Sequence, residues 1–254
     1  MPDILSTKKT ASPASTAGQP LLVFDLDGTL ADTADDLVAT VNAIIGREGL
    51  AAIPNEQIRR MVGAGARALL VRAYAAHGQT LEPARLEALF TDFLAHYEEN
   101  ICVHSRLFPG VIDALDQFAD AGWRFAVCTN KIERPSIKLL DALGILNRFD
   151  FVCGQDTFAF YKPDPRTLMA TIAKAGGDSA QSVMIGDSRT DIDTAKNAGI
   201  PVVAVNFGYT DVPVEDLGPD RVIAHFHGLW GAVESLGLGQ AENTQPERLQ
   251  STSA

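Results

Sequence analysis

The chain has 254 residues, enough for one sizeable core or for a core domain with a smaller insert, and its 46% hydrophobic content is typical of a globular protein. The net charge of −11 argues against nucleic-acid or anionic-membrane partners, which are bound by basic surfaces. No run approaches the roughly 20 apolar residues that cross a bilayer, and residues 1–20 lack a secretory signal's apolar centre. These features predict a cytoplasmic protein with flexible tails at 1–20 and 239–254, and they leave a monomer and a homodimer equally open.

The cysteines and histidines predict no disulfide and no zinc site. Cys102, Cys128 and Cys153 lie far apart and form no CxxC pair. Cys128 and Cys153 fall in apolar runs, so they are expected to be buried thiols. Of the five histidines, only His225 and His227 are close in sequence.

Apolar runs that alternate with helical patterns predict an α/β fold. Each run is apolar at consecutive positions, as expected for a parallel strand that is buried on both faces. The runs are residues 21–24, 123–128, 149–153, 182–185 and 201–205, and the helical patterns are 111–118, 134–143, 166–175 and 190–198. This alternation is typical of a doubly wound, Rossmann-like parallel sheet.

Between the first strand and residue 104 the pattern becomes entirely helical. Apolar residues recur at helical spacing in two long segments, and residues 58–62 and 68–74 predict two shorter helices. The long segments are marked by Leu37, Val38, Val41, Ile44 and Ile45, and by Leu86, Leu89, Phe90, Phe93, Leu94 and Tyr97. We therefore predict a helical cap at 34–104, inserted into an α/β core at 21–33 and 105–238. Because ligands bind beyond the carboxyl ends of the strands in such sheets, the cap would cover the site.

Polar residues follow four of the predicted strands. The segments are Asp25-Leu26-Asp27-Gly28-Thr29-Leu30, Thr129-Asn130-Lys131, Lys162-Pro163-Asp164-Pro165 and Gly186-Asp187-Ser188-Arg189-Thr190-Asp191. Alone, Asp27-Gly28 is a common turn dipeptide and residues 187–191 are a possible helix cap. In a doubly wound sheet, however, the carboxyl ends of the strands share one edge. Three carboxylates would then converge with a hydroxyl and an ammonium group, which favours a functional cluster.

The chemistry of this cluster predicts a magnesium ion and a phosphate ester. Clustered carboxylates repel one another unless a cation offsets them, and oxygen ligands without His or Cys favour Mg²⁺. Lys162 would place a positive charge on the phosphoryl oxygens, and Thr129 would donate a hydrogen bond. Gly28 would let the backbone turn tightly enough for nearby N–H groups to face the phosphate.

Together the four motifs resemble those of the haloacid dehalogenase superfamily of hydrolases with a helical cap, over residues 21–236. The resemblance implies that Asp25 is the nucleophile and a metal ligand. It implies that Asp27 protonates the leaving group, then activates water, and places its backbone carbonyl on the metal. Because an alkoxide leaving group needs such an acid, Asp27 indicates a phosphatase or phosphomutase rather than a dehalogenase.

The resemblance also implies roles for the other strand ends. Thr129, Asn130 and Lys162 would hold the phosphoryl group, and Asp187 would complete the metal site. Asp191 would be either a further metal ligand or a residue that orients one.

A finer resemblance, to bacterial phosphoglycolate phosphatases, implies a small monoester substrate, 2-phosphoglycolate. It depends on residues 25–30 together with Val62-Gly63-Ala64-Gly65-Ala66, Leu107-Phe108-Pro109-Gly110-Val111 and Tyr161-Lys162-Pro163-Asp164-Pro165. Phosphatases of other small sugar phosphates share much of this pattern and remain an alternative. In the cap, Arg67 and the glycines at 63 and 65 are candidates to bind the substrate carboxylate, although Arg67 also fits a solvated helix position.

Two other functions are less consistent with the sequence. Residues 63–68 match the dinucleotide-binding pattern GxGxxA, but the preceding residues 56–62 are charged and helix-like, not a strand. A receiver-like signalling module also carries Asp, Thr and Lys over a doubly wound sheet. Such modules are shorter and lack both a carboxylate at the position of Asp27 and a cap.

Overall fold

The computed structural model of the chain describes residues 18–59, 62, 65–210 and 212–238, excluding the side chains of residues 58 and 59. The tails that we predicted at 1–20 and 239–254 lie outside this part, apart from residues 18–20. Within the described residues, no helix is both long enough and apolar enough to cross a membrane.

The main sheet contains six parallel strands, and a separate pair of strands is antiparallel. In chain order, the strands are β1 (Leu21–Phe24), β2 (Ala31–Asp32), β3 (Arg106–Leu107), β4 (Arg124–Cys128), β5 (Phe151–Cys153), β6 (Ser182–Gly186), β7 (Val202–Val205) and β8 (Arg221–Ile223). The main sheet has the order β5-β4-β1-β6-β7-β8, and β2 pairs with β3. All five predicted strands are present. Strands β2, β3 and β8 escaped prediction because two or three residues carry no recognisable periodicity.

Four helices form the cap between β2 and β3. They are α1 (Ala34–Arg47), α2 (Asn55–Arg59), α3 (Ala66–Ala75) and α4 (Pro83–Glu99). Helices α1 and α4 contact each other, and the residues that predicted them, such as Val41 and Phe93, are buried. The helix predicted at 58–62 overlaps α2 at residues 58 and 59 and does not include residue 62, while residues 60 and 61 lie outside the described residues. The helix predicted at 68–74 is α3, which is longer at both ends.

Helices cover both faces of the sheet, which explains why its central strand β1 is apolar at every position. Helices α5 (Val111–Asp120), α6 (Glu133–Ala142) and α9 (Leu229–Glu234) share one apolar cluster with Leu22 and Phe24 of β1. Helices α7 (Pro165–Lys174) and α8 (Arg189–Ala198) share the other cluster with Leu21 and Val23. Strand β1 lies between β4 and β6 and is fully buried.

Asp36 joins the beginning of the cap to its end. Its carboxylate accepts hydrogen bonds from the backbone N–H groups of His104, at 2.9 Å, and Ser105, at 2.8 Å. The Ser105 hydroxyl donates a further bond of 2.6 Å, and Asp36 is only 3% exposed. The side chain therefore closes the loop formed by about 70 residues of cap, at the point where the chain leaves the core and returns to it.

We predict that Asp36→Ala lowers the free energy of unfolding by on the order of 2–4 kcal/mol, because buried N–H and O–H donors lose a charged acceptor. Urea unfolding measures this change. Asp120→Asn, at an exposed position near the end of α5, is the matched control and should change stability by less than about 0.5 kcal/mol. Equal effects of the two substitutions on stability would contradict the role of Asp36 in joining the two ends of the cap.

Candidate active site

Asp25 and Asp27 follow the central strand in a tight loop. The N–H of Asp25 donates to the Ile185 carbonyl at 2.9 Å, so Asp25 continues the pairing of β1 with β6. The Leu26 carbonyl accepts N–H groups from residues 29, 30 and 31, which closes the loop. Both aspartates line one cavity between the core and the cap.

Lys162 lies between two carboxylates at the base of this cavity. Its ammonium nitrogen is 2.9 Å from Asp25 Oδ1 and 2.5 Å from Asp191 Oδ1, and its side chain is 2% exposed. Burial disfavours the charge, but the two aspartates raise the pKa of Lys162 above its ordinary value. The second oxygen of Asp191 accepts bonds from the N–H and hydroxyl of Ser188. Asp191 thus holds Lys162 in place while capping α8.

Asp187 is held by hydrogen bonds to both of its oxygens. Thr29 donates its hydroxyl at 3.0 Å, and Tyr209 donates its backbone N–H at 2.7 Å. Gly28 and Gly208 lie against the carboxylate, since a Cβ on either would come within 2.4 Å of Asp187 Oδ2. Gly28 is therefore required for the close approach of Asp187, at a φ of +85°. The Gly28 N–H itself donates to the Ala31 carbonyl at 2.9 Å, and our prediction that nearby N–H groups face the phosphate stays a prediction.

Three of these carboxylates could hold a metal ion. Oxygens of Asp25, Asp187 and Asp191 lie within 4.8 Å of one another, and all three residues are buried. Burial raises the pKa of Asp25 to about 6, although Lys162 opposes the shift. Burial, together with Asp191 and Asp25, raises the pKa of Asp187 well above its ordinary value. The site therefore favours a bound cation, and its oxygen-only donors fit a hard ion such as Mg²⁺.

Asp27 contacts a group that sequence reasoning did not select. Lys131 places its ammonium nitrogen 2.9 Å and 3.1 Å from the two carboxylate oxygens of Asp27. The same nitrogen is 2.9 Å from the hydroxyl of Tyr97 on cap helix α4, and the Thr33 hydroxyl donates to Asp27 at 2.7 Å. Lys131 follows Thr129 and Asn130 in the second motif, so its place in that motif could have identified it as a site residue.

The cavity brings together Asp25, Asp27, Thr129, Asn130 and Lys162. Asn130 donates to the Lys162 carbonyl at 3.0 Å, and its buried side-chain oxygen has no partner among the described residues. The cap contributes mainly apolar side chains to the lining, namely Leu37, Val62, Leu69, Phe90, Phe93 and Leu94. The cavity offers about 60 Å³ to the centre of a water molecule, and this enclosed space suits a small ligand.

Arg67 is not brought to this cavity. Its guanidinium forms a two-bond ion pair with Glu87, at 2.8 Å for each bond, and lies 3.6 Å from the centre of the Phe90 ring. It lines an adjoining open groove instead. Of the two cap glycines named with it, Gly65 lines the cavity and residue 63 lies outside the described residues.

Comparison with known proteins identifies similar enzymes. A family model described as haloacid dehalogenase-like hydrolase matches residues 22–205. A phosphoglycolate phosphatase of Mesorhizobium japonicum is 51% identical over 211 residues, which cover 83% of this chain and 93% of that protein. One from Agrobacterium fabrum is 46% identical, with coverage of 84% and 92%. The crystal structure of a predicted phosphoglycolate phosphatase from Haemophilus somnus has a TM-score of 0.78 at 29% identity, and the match covers 84% of this chain and 97% of that one.

These similarities confirm the prediction of a hydrolase that combines a Rossmann-like core with a helical cap. They also confirm the resemblance to phosphoglycolate phosphatases. The dehydrogenase and receiver hypotheses receive no support from them.

We predict that Asp25→Asn stabilises the metal-free protein at pH 8. Because the pKa of Asp25 is higher in the folded chain than in the unfolded chain, its ionisation destabilises the fold as pH rises through about 6. The neutral amide avoids this cost, which we place on the order of 2–3 kcal/mol. The gain should be about half as large at pH 5, where the carboxyl is protonated in the folded chain but ionised in the unfolded chain, and it should vanish only below about pH 4. Urea unfolding at both pH values measures it.

Addition of Mg²⁺ should make the wild type more stable than Asp25→Asn, since the wild type alone keeps the full set of carboxylates that bind the ion. Asp141→Asn, at an exposed position on α6, is the matched control and should change stability by less than about 0.5 kcal/mol. Destabilisation by Asp25→Asn of equal size at pH 5 and pH 8 would mean that the carboxylate only supports the fold.

Proposed function

We propose that the chain, which belongs to the haloacid dehalogenase-like hydrolase family, is a Mg²⁺-dependent phosphatase that acts through an aspartyl-phosphate on Asp25. The observation that carries the proposal is the state of Asp25 Oδ1. Asp25 lines the cavity, and its buried Oδ1 is paired with the Lys162 ammonium at 2.9 Å. A buried carboxylate that water does not solvate, beside an ammonium that can also bind phosphoryl oxygens, is suited to act as a nucleophile.

The groups around Asp25 fit a phosphoryl group. Lys162 would supply positive charge to its oxygens, while the Thr129 hydroxyl and Asn130 would provide further polar contacts. Thr129 is held in place because its hydroxyl oxygen accepts the backbone N–H of Lys131 at 3.2 Å. Asp191, which binds Lys162 and Ser188, would act by positioning Lys162.

The metal would be held by the Asp25 and Asp187 carboxylates and by the backbone carbonyl of Asp27. When bound, Mg²⁺ supplies positive charge that shields the phosphoryl oxygens from the approaching carboxylate. The cavity region contains four carboxylates, Asp25, Asp27, Asp187 and Asp191, but only two ammonium groups, Lys131 and Lys162, among the described residues. An anionic substrate therefore needs this additional cation.

Asp27 would serve the leaving group. In the first step Asp25 bonds to phosphorus, the ester P–O bond breaks, and Asp27, which must be protonated at this stage, gives its proton to the departing oxygen. In the second step Asp27 takes a proton from water, the water oxygen bonds to phosphorus, and the bond to Asp25 breaks. Phosphate leaves and both carboxyl groups return to their first state.

We propose 2-phosphoglycolate as the substrate. The relatives from Mesorhizobium and Agrobacterium are named phosphoglycolate phosphatases, and the small cavity suits an ester of a two-carbon acid. One feature favours the alternative of a larger sugar phosphate. The open groove that adjoins the cavity shares Gly65, Phe90 and Gln155 with it, and it offers room for a longer leaving group.

We predict that phosphate release from 2-phosphoglycolate requires Mg²⁺, stops with chelator and returns when Mg²⁺ is restored. A release assay over small phosphate monoesters measures both metal need and substrate preference. Full activity in a metal-stripped sample would contradict the metal assignment. A large preference for a sugar phosphate in kcat/KM would retain the reaction class and overturn the substrate.

We predict that Asp25→Asn abolishes turnover, and that Asp27→Asn lowers kcat by about a hundredfold to ten-thousandfold, the usual contribution of a general acid–base group. An aryl phosphate, whose leaving group needs little protonation, should still phosphorylate Asp25 in the Asp27→Asn variant. Mass spectrometry of the trapped protein locates the phosphoryl group. Near-wild-type turnover by Asp25→Asn would disprove the mechanism.

A further inference from the structure

Recognition of an anionic leaving group requires a cation on the side of the cavity that holds the leaving group. Among the described residues that line the cavity, only two carry a positive side chain, Lys131 and Lys162. Lys162 lies between Asp25 and Asp191 and is assigned to the phosphoryl group. Arg67 is paired with Glu87 outside the cavity. Lys131 is therefore the remaining candidate.

Lys131 is also in the right position relative to the reacting bond. Its ammonium contacts both oxygens of Asp27, the proposed acid for the ester oxygen, at 2.9 and 3.1 Å. In 2-phosphoglycolate, a single carbon separates the ester oxygen from the carboxyl group. A group that binds the carboxylate must therefore lie beside the group that protonates the ester oxygen. Lys131 is such a neighbour.

The surroundings of Lys131 strengthen a charge-assisted contact. Its side chain is 6% exposed, and the Tyr97 hydroxyl, at 2.9 Å, fixes the ammonium from the cap side. Apolar side chains of Leu37, Phe93 and Ile132 line the same cavity. In such an environment a carboxylate pairs strongly with the ammonium, whereas an uncharged group gains much less.

We infer that Lys131 is the specificity-determining residue that binds the carboxylate of the leaving group, with Tyr97 holding its ammonium in place. This inference rests on the proposed function, since it assumes a substrate whose leaving group carries a carboxylate. It replaces Arg67, the candidate drawn from the sequence.

The test compares 2-phosphoglycolate with its amide, 2-amino-2-oxoethyl phosphate, which has the same shape but no carboxylate charge. In Lys131→Gln, which keeps a donor for Asp27, the ratio of kcat/KM for the acid to that for the amide should fall about tenfold to a hundredfold, chiefly through KM. Lys131→Arg keeps the charge and should retain a larger part of the preference. Lys174→Gln, on an exposed position of α7, is the matched control and should leave the ratio unchanged.

The outcomes separate the inference from the function on which it rests. If the wild type prefers the acid and Lys131→Gln loses activity equally on both esters, Lys131 only positions Asp27 and the inference is wrong. If the wild type does not prefer the acid, both the proposed substrate and the inference are wrong. Urea unfolding checks that each variant is folded. If Lys131→Gln does not fold, Lys131→Met provides a second neutral variant for the same comparison.

Discussion

The structure of the site depends on the cost of burying several carboxylates at one edge of a sheet. Asp25, Asp187 and Asp191 are at most 8% exposed, and their oxygens approach one another within 4.8 Å. Such a cluster is stable only if each oxygen has compensating partners or a cation. Lys162 bridges two of the carboxylates, and hydrogen-bond donors hold the third. The glycines at 28 and 208 are needed because any larger residue would occupy the space of the Asp187 carboxylate.

The same loops connect this cluster to the cap. Tyr209 donates its N–H to Asp187, and its hydroxyl accepts the N–H groups of Thr33 and Ala34 at the start of α1. On the other side, Lys131 joins Asp27 of the core to Tyr97 of α4. The position of the cap is thus coupled to the position of two carboxylates that do the proposed chemistry. A cap helix that moved would disturb the partner of Asp27 as well as the walls of the cavity.

The sequence predicts features set by neighbouring residues, such as strands and strand-end motifs. It does not predict contacts between residues that lie far apart along the chain. The strands of the core were predictable because burial on both faces leaves an uninterrupted apolar run, and the order of the strand-end motifs then places Asp25 and Lys162 at one edge. The ion pair of Arg67 could not be foreseen, because its partner Glu87 lies 20 residues away on another helix. The contact between Lys131 and Asp27 spans 104 residues, and no periodicity reveals such a pair. The boundaries that the sequence predicted for the cap, at residues 34 and 104, remain predictions.

The charge of the whole protein bears on how the site captures an anion. With a net charge of −11, the long-range field repels a phosphate ester, and salt screens that field beyond roughly 8–10 Å. Both ammonium groups at the cavity are already paired with carboxylates, so neither projects a net positive field into solvent. Capture must then depend on short-range contacts inside the cavity and on the metal. This arrangement favours selectivity over speed of association, because an anion gains the ammonium contacts only after it has entered and lost water. A ligand that is too large to enter cannot gain them at all.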